Sequence, residues 1–174
     1  MIFEAAIDLT IPDNTAYSVR VALAQLGYAG LERVERTEVF RLSIVDEQTR
    51  AEDIARALTR AEVLFNPNKH RLSYAVDDAS SFTIVGEWEA IVADRDSDTK
   101  RLQRVLCERF GIRGLERLDR SIAWRLYEAG CPASKDKLEW ACRALLCNPY
   151  SQSSTVRMRP NRTPVGDGAV AVET

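Results

Sequence analysis

The stretch GLERVERTEVFRL, residues 30–42, returns with few changes as GLERLDRSIAWRL at residues 114–126. Gly-Leu-Glu-Arg is identical in the two stretches, and Arg36 corresponds to Arg120 at an offset of 84 (120 minus 36). Self-similarity at one long offset is the mark of an internal repeat, so the sequence indicates a duplicated unit.

A second landmark follows each stretch in the same order. Asn66-Pro67 and Asn148-Pro149 each close a helix-like apolar run, at an offset of 82 (148 minus 66). Proline disfavours the helical conformation of the residue before it, and asparagine tolerates the left-handed geometry of a helix end. We therefore predict that each Asn-Pro pair ends a helix, with a slightly shorter loop in the second copy.

The first copy has the pattern β-α-β-β-α-β. Apolar and polar residues alternate at both ends of the unit, which predicts strands. The charged, β-branched block after residue 30 predicts a hairpin of two strands around Thr37-Glu38. Two stretches with helical periodicity complete the unit, the first capped by Asn14 or Thr15 and the second by Thr49.

The second copy repeats this order, so the predicted fold class is α+β. It consists of two tandem ferredoxin-like βαββαβ repeats, each an antiparallel sheet with helices on one face. We place the first repeat at residues 1–80, the second at 84–160, and a flexible tail at 161–174, where the sequence is turn-rich and without periodicity. Because one copy of this size buries little core, we expect the two copies to bury their sheets or their edges against each other.

Composition limits the classes of partner. The 174 residues contain 24 Lys+Arg against 26 Asp+Glu, so there is no overall basic field, and we expect no nucleic-acid partner. No apolar run is long enough for a membrane span and the N-terminus does not resemble a secretory signal, which together with scattered cysteines favours a cytoplasmic location.

Side chains that carry chemistry are sparse in this sequence. There is no phosphate-binding glycine loop or nucleophile motif, and His70 is the only histidine, so we predict no catalytic, cofactor-binding or metal-binding residues. The repeated Arg36 and Arg120 are the candidate contacts to a partner's carboxylate or phosphate, with a solvated strand residue as the equally weighted alternative.

Several of these landmarks resemble one known family. The residues concerned are a helix ending in Leu-Gly-Tyr (26–28), a hairpin strand with Leu31, Val34 and Arg36, the later Arg41-Leu42, and a helix ending in Leu-Phe-Asn-Pro (64–67). This pattern resembles PurS, the small subunit of phosphoribosylformylglycinamidine synthase. The family usually has Asp-Pro-x-Gly before its first helix, where this chain has Pro-Asp-Asn-Thr (12–15). The second copy has corresponding residues at Phe110-Gly111, Leu115, Leu118, Arg120, Arg125-Leu126 and Leu146-Cys147-Asn148-Pro149.

The resemblance implies a function in de novo purine biosynthesis. PurS is not the catalyst of this ATP- and glutamine-dependent ligase; it dimerises and bridges a PurQ-type glutaminase and a PurL-type synthetase. A tandem copy is similar to that dimer fused into one chain, a pseudo-dimer that leaves further homo-oligomerisation open. No cofactor is implied for this subunit.

A second interpretation belongs to another class. Tandem ACT-like regulatory modules share the β-α-β-β-α-β order and bind an amino acid or another small molecule between domains. They often place a glycine in the first strand-to-helix loop, and residues 10–16 and 94–100 contain none. An independent enzyme is the third and least supported interpretation.

Overall fold

The structure is a computed structural model that describes residues 1–77 and 84–166. These ranges contain eight strands, four α-helices and one π-helical turn, Cys142–Leu146. In chain order the elements are β1 (Ile2–Leu9), α1 (Asn14–Gln25), β2 (Leu31–Ile44), α2 (Ala51–Thr59), β3 (His70–Asp77), β4 (Ile84–Asp94), α3 (Lys100–Phe110), β5 (Leu115–Glu128), β6 (Cys131–Pro132), α4 (Lys135–Ala141), β7 (Gln152–Pro160) and β8 (Thr163–Pro164).

The strands form one antiparallel sheet in the order β7-β4-β5-β2-β1-β3-β8, with β6 paired to β5. The predicted α+β class is therefore confirmed. The two halves of the chain meet edge to edge, because β2 pairs with β5 in the middle of the sheet. Of the two expected arrangements, face against face or edge against edge, the structure shows the second.

The predicted hairpin around Thr37-Glu38 is wrong. Residues 31–44 form one continuous strand, and Thr37 is fully buried within it, paired with Ala123 of β5. Neither Thr nor Glu favours the positive φ of a tight two-residue hairpin turn, so nothing local forces the chain to reverse. Each half thus has the order β-α-β-α-β, with the short β6 added in the second.

The β2–β5 pairing carries an approximate twofold axis. Glu38 lies opposite Ile122, and the offset between them is 84, the same as that of the sequence repeat (122 minus 38). Glu38 is thus paired with its own counterpart in the repeat. When two equivalent antiparallel strands pair in this way, a twofold axis passes through that residue pair. The flanking pairs obey the same relation, Arg36 with Trp124 and Phe40 with Arg120.

All four helices pack on one face of the sheet, and each core cluster draws on both halves. One cluster joins Ile54 and Leu58 of α2 to Leu106 of α3, and the other joins Leu23 of α1 to Leu138 of α4. All five side chains are at most 1% exposed. Since full burial of one such side chain contributes about 1.5–3 kcal/mol, neither half completes its core without the other.

The opposite face of the sheet is polar and strongly curled. One nitrogen of Arg162, Nη2, lies 2.9 Å from Glu4 Oε1 and 3.1 Å from Glu89 Oε1. Glu4 is on β1 and Glu89 is on β4, and two strands separate β1 from β4 in the sheet. A flat sheet would hold these carboxylates far apart, given the spacing of about 4.8 Å between neighbouring strands.

The predicted flexible tail is wrong at its beginning. The Arg162 side chain is only 3% exposed, and Thr163-Pro164 pairs with β3. The reason is non-local, because the curled sheet brings the end of β7 near β3 and gives Arg162 two carboxylate partners. Residues 167–174 of that tail lie outside the described residues.

The two Asn-Pro pairs open the loops before the closing strands. The first does not end a helix, since α2 stops at Thr59, and neither asparagine has a positive φ. Their shared role is a side-chain turn: Asn66 Oδ1 accepts from the backbone N–H of Asn68, and Asn148 Oδ1 from that of Tyr150, both at 3.0 Å. Asparagine favours such turns because its side chain substitutes for a backbone acceptor.

Candidate functional site

The polar face of the sheet buries a network of charges. Glu4 is 8% exposed, Glu89 is 0% exposed and Arg125 is 5% exposed. Arg157 joins the first two, with Nη2 at 2.7 Å from Glu4 and 2.8 Å from Glu89. Removing charges from water is costly unless they are paired, so a network of this kind is weak evidence for stability and a reason to look for function.

Arg125 is buried beside carboxylates of β1 and β2. Its Nε donates to Glu35 Oε2 at 3.1 Å, and its Nη2 donates to Thr37 Oγ1 at 3.0 Å and to Asp8 Oδ1 at 3.4 Å. Its Nη1 is buried without a hydrogen-bond partner, 4.0 Å from Glu89 Oε2. Burial opposes protonation of Arg125, but the charges of Asp8 and Glu35 outweigh it and raise the pKa of the guanidinium.

A cleft of about 530 Å³ opens beside Arg125, where β1 ends and β2 continues. The pairing of β1 with β2 stops at Asp8 and Thr37, so β2 residues 33–36 extend past the end of β1. We call this feature the arginine cleft. Its charged lining consists of Arg33, Arg36, Arg71, Arg125 and Arg159 with Asp8, Asp13 and Glu35.

Asp13 shapes one wall of the arginine cleft by capping α1. Its Oδ1 accepts from the backbone N–H groups of Thr15 at 2.8 Å and Ala16 at 3.0 Å, and its Oδ2 accepts from Arg36 Nε at 3.0 Å. Asp13 is thus the cap, rather than the predicted Asn14 or Thr15. Burial alone would raise the pKa of Asp13, but the Ala16 N–H and the Arg36 guanidinium lower it below its usual range.

The candidate contacts Arg36 and Arg120 lie in different surroundings. Arg36 is 23% exposed at its side chain and lines the arginine cleft. Arg120 is 52% exposed and donates from Nη2 to both carboxylate oxygens of Glu38, at 3.1 and 3.2 Å. It lines a separate groove with Val63 and residues of α3. The two arginines are related by the pseudo-twofold axis and do not form one site.

Within the described residues, the arginine cleft occurs in only one half of the chain. Ala5 pairs with Phe40 and Ala90 pairs with Trp124, so β1 and β4 correspond at an offset of 85 (90 minus 5). At that offset Asp8 becomes Ala93. At the offset of 82 that relates the closing strands, Arg71 becomes Ser153. The second half therefore lacks two charged groups of the cleft.

His70 has a structural role that the repeat makes evident. Its Nδ1 accepts a hydrogen bond from the backbone N–H of Asn66 at 3.1 Å. In the second half, Gln152 Oε1 accepts from the backbone N–H of Asn148 at 2.9 Å. A side chain without acid-base function performs the same task, so the geometry assigns no proton-transfer role to His70.

No family model and no curated protein sequence matches the chain. Within the described residues, no helix is long and apolar enough to cross a membrane.

Sequence reasoning missed most of the arginine cleft. It selected Arg36, but not Arg71, Arg125 or Arg159, because single arginines in strands resemble solvated surface residues. One signal was present: Glu4 and Asp8 interrupt the apolar residues of the first strand on one face. Such inward acidic residues require cationic partners from other strands, and the alternation of β5 and β7 supplies them.

Proposed function

We propose that the chain is a pair of fused PurS-like units that acts as a non-catalytic subunit of phosphoribosylformylglycinamidine synthase. In this role it bridges a PurQ-type glutaminase and a PurL-type synthetase in de novo purine biosynthesis. The finer fold assignment, two tandem ferredoxin-like repeats, belongs to this proposal in a modified form. The two middle strands of each repeat are then one continuous strand, β2 or β5.

The pseudo-twofold register of β2 against β5 carries the proposal. A subunit that works as a dimer presents the same surface twice, and a tandem duplication around a twofold axis keeps that property in one chain. The interlocked cores support the same interpretation, since helices from both halves share each cluster. An adaptor between two proteins needs two faces held in a fixed relation, and a shared sheet supplies that rigidity.

Two equivalent apolar side chains mark candidate contact surfaces on the helical side. Val63 is 60% exposed, and Leu145, its counterpart in the second half, is 40% exposed. Val63 lines the groove of Arg120, so an apolar side chain lies beside an accessible cation. An apolar centre with an arginine at its rim is a common composition of protein interfaces.

The test is reconstitution with the two proposed partners. The full chain is mixed with a synthetase and a glutaminase from the same cells, and the complex is separated by size-exclusion chromatography. We expect co-elution of the three proteins and glutamine-dependent synthesis that requires the chain. A chain that elutes alone, with synthesis proceeding equally well without it, would refute the proposal.

The arginine cleft favours a second candidate, a regulatory module that binds a small molecule, as the ACT-like interpretation implies. A cleft of about 530 Å³ lies within the size range of small-molecule sites. Under this candidate the isolated chain binds a metabolite with saturation, and that binding changes its affinity for a partner enzyme. Saturable binding without an effect on any partner would exclude the regulatory function.

A further inference from the structure

Three arginines around the arginine cleft have hydrogen-bonding groups that the described residues do not use. Arg71 is exposed and forms no ion pair with a carboxylate among the described residues. Arg36 uses Nε on Asp13, and its two terminal amino groups make no bond to a described residue. Arg159 donates from Nη1 to Glu87 at 2.8 Å, while its Nη2 makes no bond to a described residue.

The charge around this cleft is positive. Five arginines line it against three carboxylates. Outside the lining, Glu87 pairs with Arg159, and Glu89 lies 4.0 Å from Arg125 but is itself paired with Arg157 and Arg162. Arg125 is 5% exposed and its Nη1 makes no hydrogen bond, so it extends the cationic lining into the protein. Unused N–H groups on a buried guanidinium cost free energy, and an anion nearby offsets that cost.

We propose that the arginine cleft binds a phosphate group, either free or carried by a small ester. The unused donors come from β2, β3 and β7, so they approach the cleft from three strands. A tetrahedral phosphate presents three or four oxygens in different directions, whereas one guanidinium fork is enough for a planar carboxylate. The volume of about 530 Å³ leaves room for an organic group beside the phosphate.

This inference goes beyond the proposed bridging function and does not depend on it. The second half of the chain provides an internal comparison for the cleft residues of the first half. The second half has Ser153 where the first has Arg71, and it keeps Arg117 where the first has Arg33. Arg117 pairs with Asp119 at 2.9 Å and is 72% exposed, so it provides a matched arginine outside the cleft.

Titration of the isolated full-length chain tests the proposal. Calorimetry and thermal melting are followed with sodium phosphate and with glycerol 1-phosphate, against sodium acetate and sodium chloride at equal ionic strength. We expect saturable binding and a rise in melting temperature for the phosphates only. Loss of a charge-assisted hydrogen bond predicts that Arg71→Ala weakens binding about 10- to 100-fold, that Arg71→Lys weakens it less, and that Arg117→Ala changes nothing.

The two phosphate probes separate the sources of the ligand. If glycerol 1-phosphate binds more tightly than inorganic phosphate, the ligand is a phosphate ester whose carbon skeleton occupies the rest of the cleft. If the two bind equally, the ligand is free phosphate. Equal responses to acetate and phosphate would overturn the proposal. So would a folded Arg71→Ala variant that binds phosphate like the unmodified chain, or an Arg117→Ala variant that loses as much affinity. Because no partner enzyme is present, these outcomes leave the bridging proposal untouched.

Discussion

Glu4 and Glu89 occupy equivalent positions in the two halves of the chain, and one nitrogen of Arg162 donates to both. The two carboxylates thus face each other across the curled sheet. Two carboxylates that contact the same nitrogen would repel each other without it. The guanidinium groups of Arg157 and Arg162 hold Glu4 and Glu89 together. A residue outside both repeats therefore completes the contact between them.

Replacing that residue should destabilise the whole chain. Arg162→Met removes one cation from two buried carboxylates, and we expect a loss of about 3 kcal/mol in the free energy of unfolding. This is the low end of the cost of breaking a buried ion pair, because Arg157 still contacts both acids. Urea denaturation at pH 7 measures the loss. The exposed Arg117→Met is the control and should change stability by less than about 1 kcal/mol. Equal losses in the two variants would contradict the role of Arg162 in joining Glu4 to Glu89.

The same network predicts how stability depends on pH. Burial alone would raise the pKa of Glu4, but the hydrogen bonds and charges of Arg157 and Arg162 lower it below its usual value. A carboxyl whose pKa is lower in the folded state adds stability above its unfolded pKa, near 4.3, and loses it as the pH falls through the folded value. Glu4→Gln should therefore be less stable at pH 7 and show a shallower decline in acid.

Urea midpoints between pH 7 and pH 2 measure this difference for Glu4→Gln. The exposed Glu47→Gln serves as the control and should follow the curve of the unmodified chain. A Glu4→Gln curve that runs parallel to that of the unmodified chain over the whole range would show that Glu4 does not contribute to the acid transition.

The equivalence of His70 and Gln152 predicts that a histidine can be replaced by glutamine at little cost. His70→Gln keeps an acceptor for the Asn66 N–H, so its stability should stay within about 0.5 kcal/mol. His70→Ala removes the acceptor and should cost about 1 kcal/mol, the net contribution of a typical hydrogen bond. Asn66→Ala removes the side-chain turn and should cost a similar amount. Denaturation curves distinguish the variants, and a His70→Gln as unstable as His70→Ala would contradict the assigned role.

Local sequence signals predicted part of this fold and failed where distant strands decide the outcome. The similarity of the two halves could be predicted from the sequence because residues such as Arg36 and Arg120 recur at one offset. The continuous strand β2 could not be predicted, because apolar and polar residues alternate in the same way in a hairpin and in a single strand. Only the pairing of β2 with β5 distinguishes the two. The burial of Arg162 was hidden for the same reason, because the curl of the sheet supplies both carboxylates.

Substitution of the two equivalent arginines, Arg36 and Arg120, should affect different properties: stability for the first and complex assembly for the second. Arg36→Ala breaks the partly buried pair with the Asp13 cap, and we expect a loss of about 1 kcal/mol. Arg120→Ala removes only an exposed pair with Glu38, so stability should stay nearly unchanged. If Arg120 contacts a carboxylate of the synthetase or glutaminase, its loss weakens assembly by roughly 1–3 kcal/mol.

Calorimetric titration of the chain into its partners measures that loss of affinity. Arg117→Ala is the matched control, because residue 117 lies on the same strand as Arg120 and, by alternation, on the opposite face. The control should bind as the unmodified chain does. Assembly that is unchanged in Arg120→Ala would identify this arginine as a solvated strand residue, and the partner surface would then have to lie elsewhere than the groove of Val63.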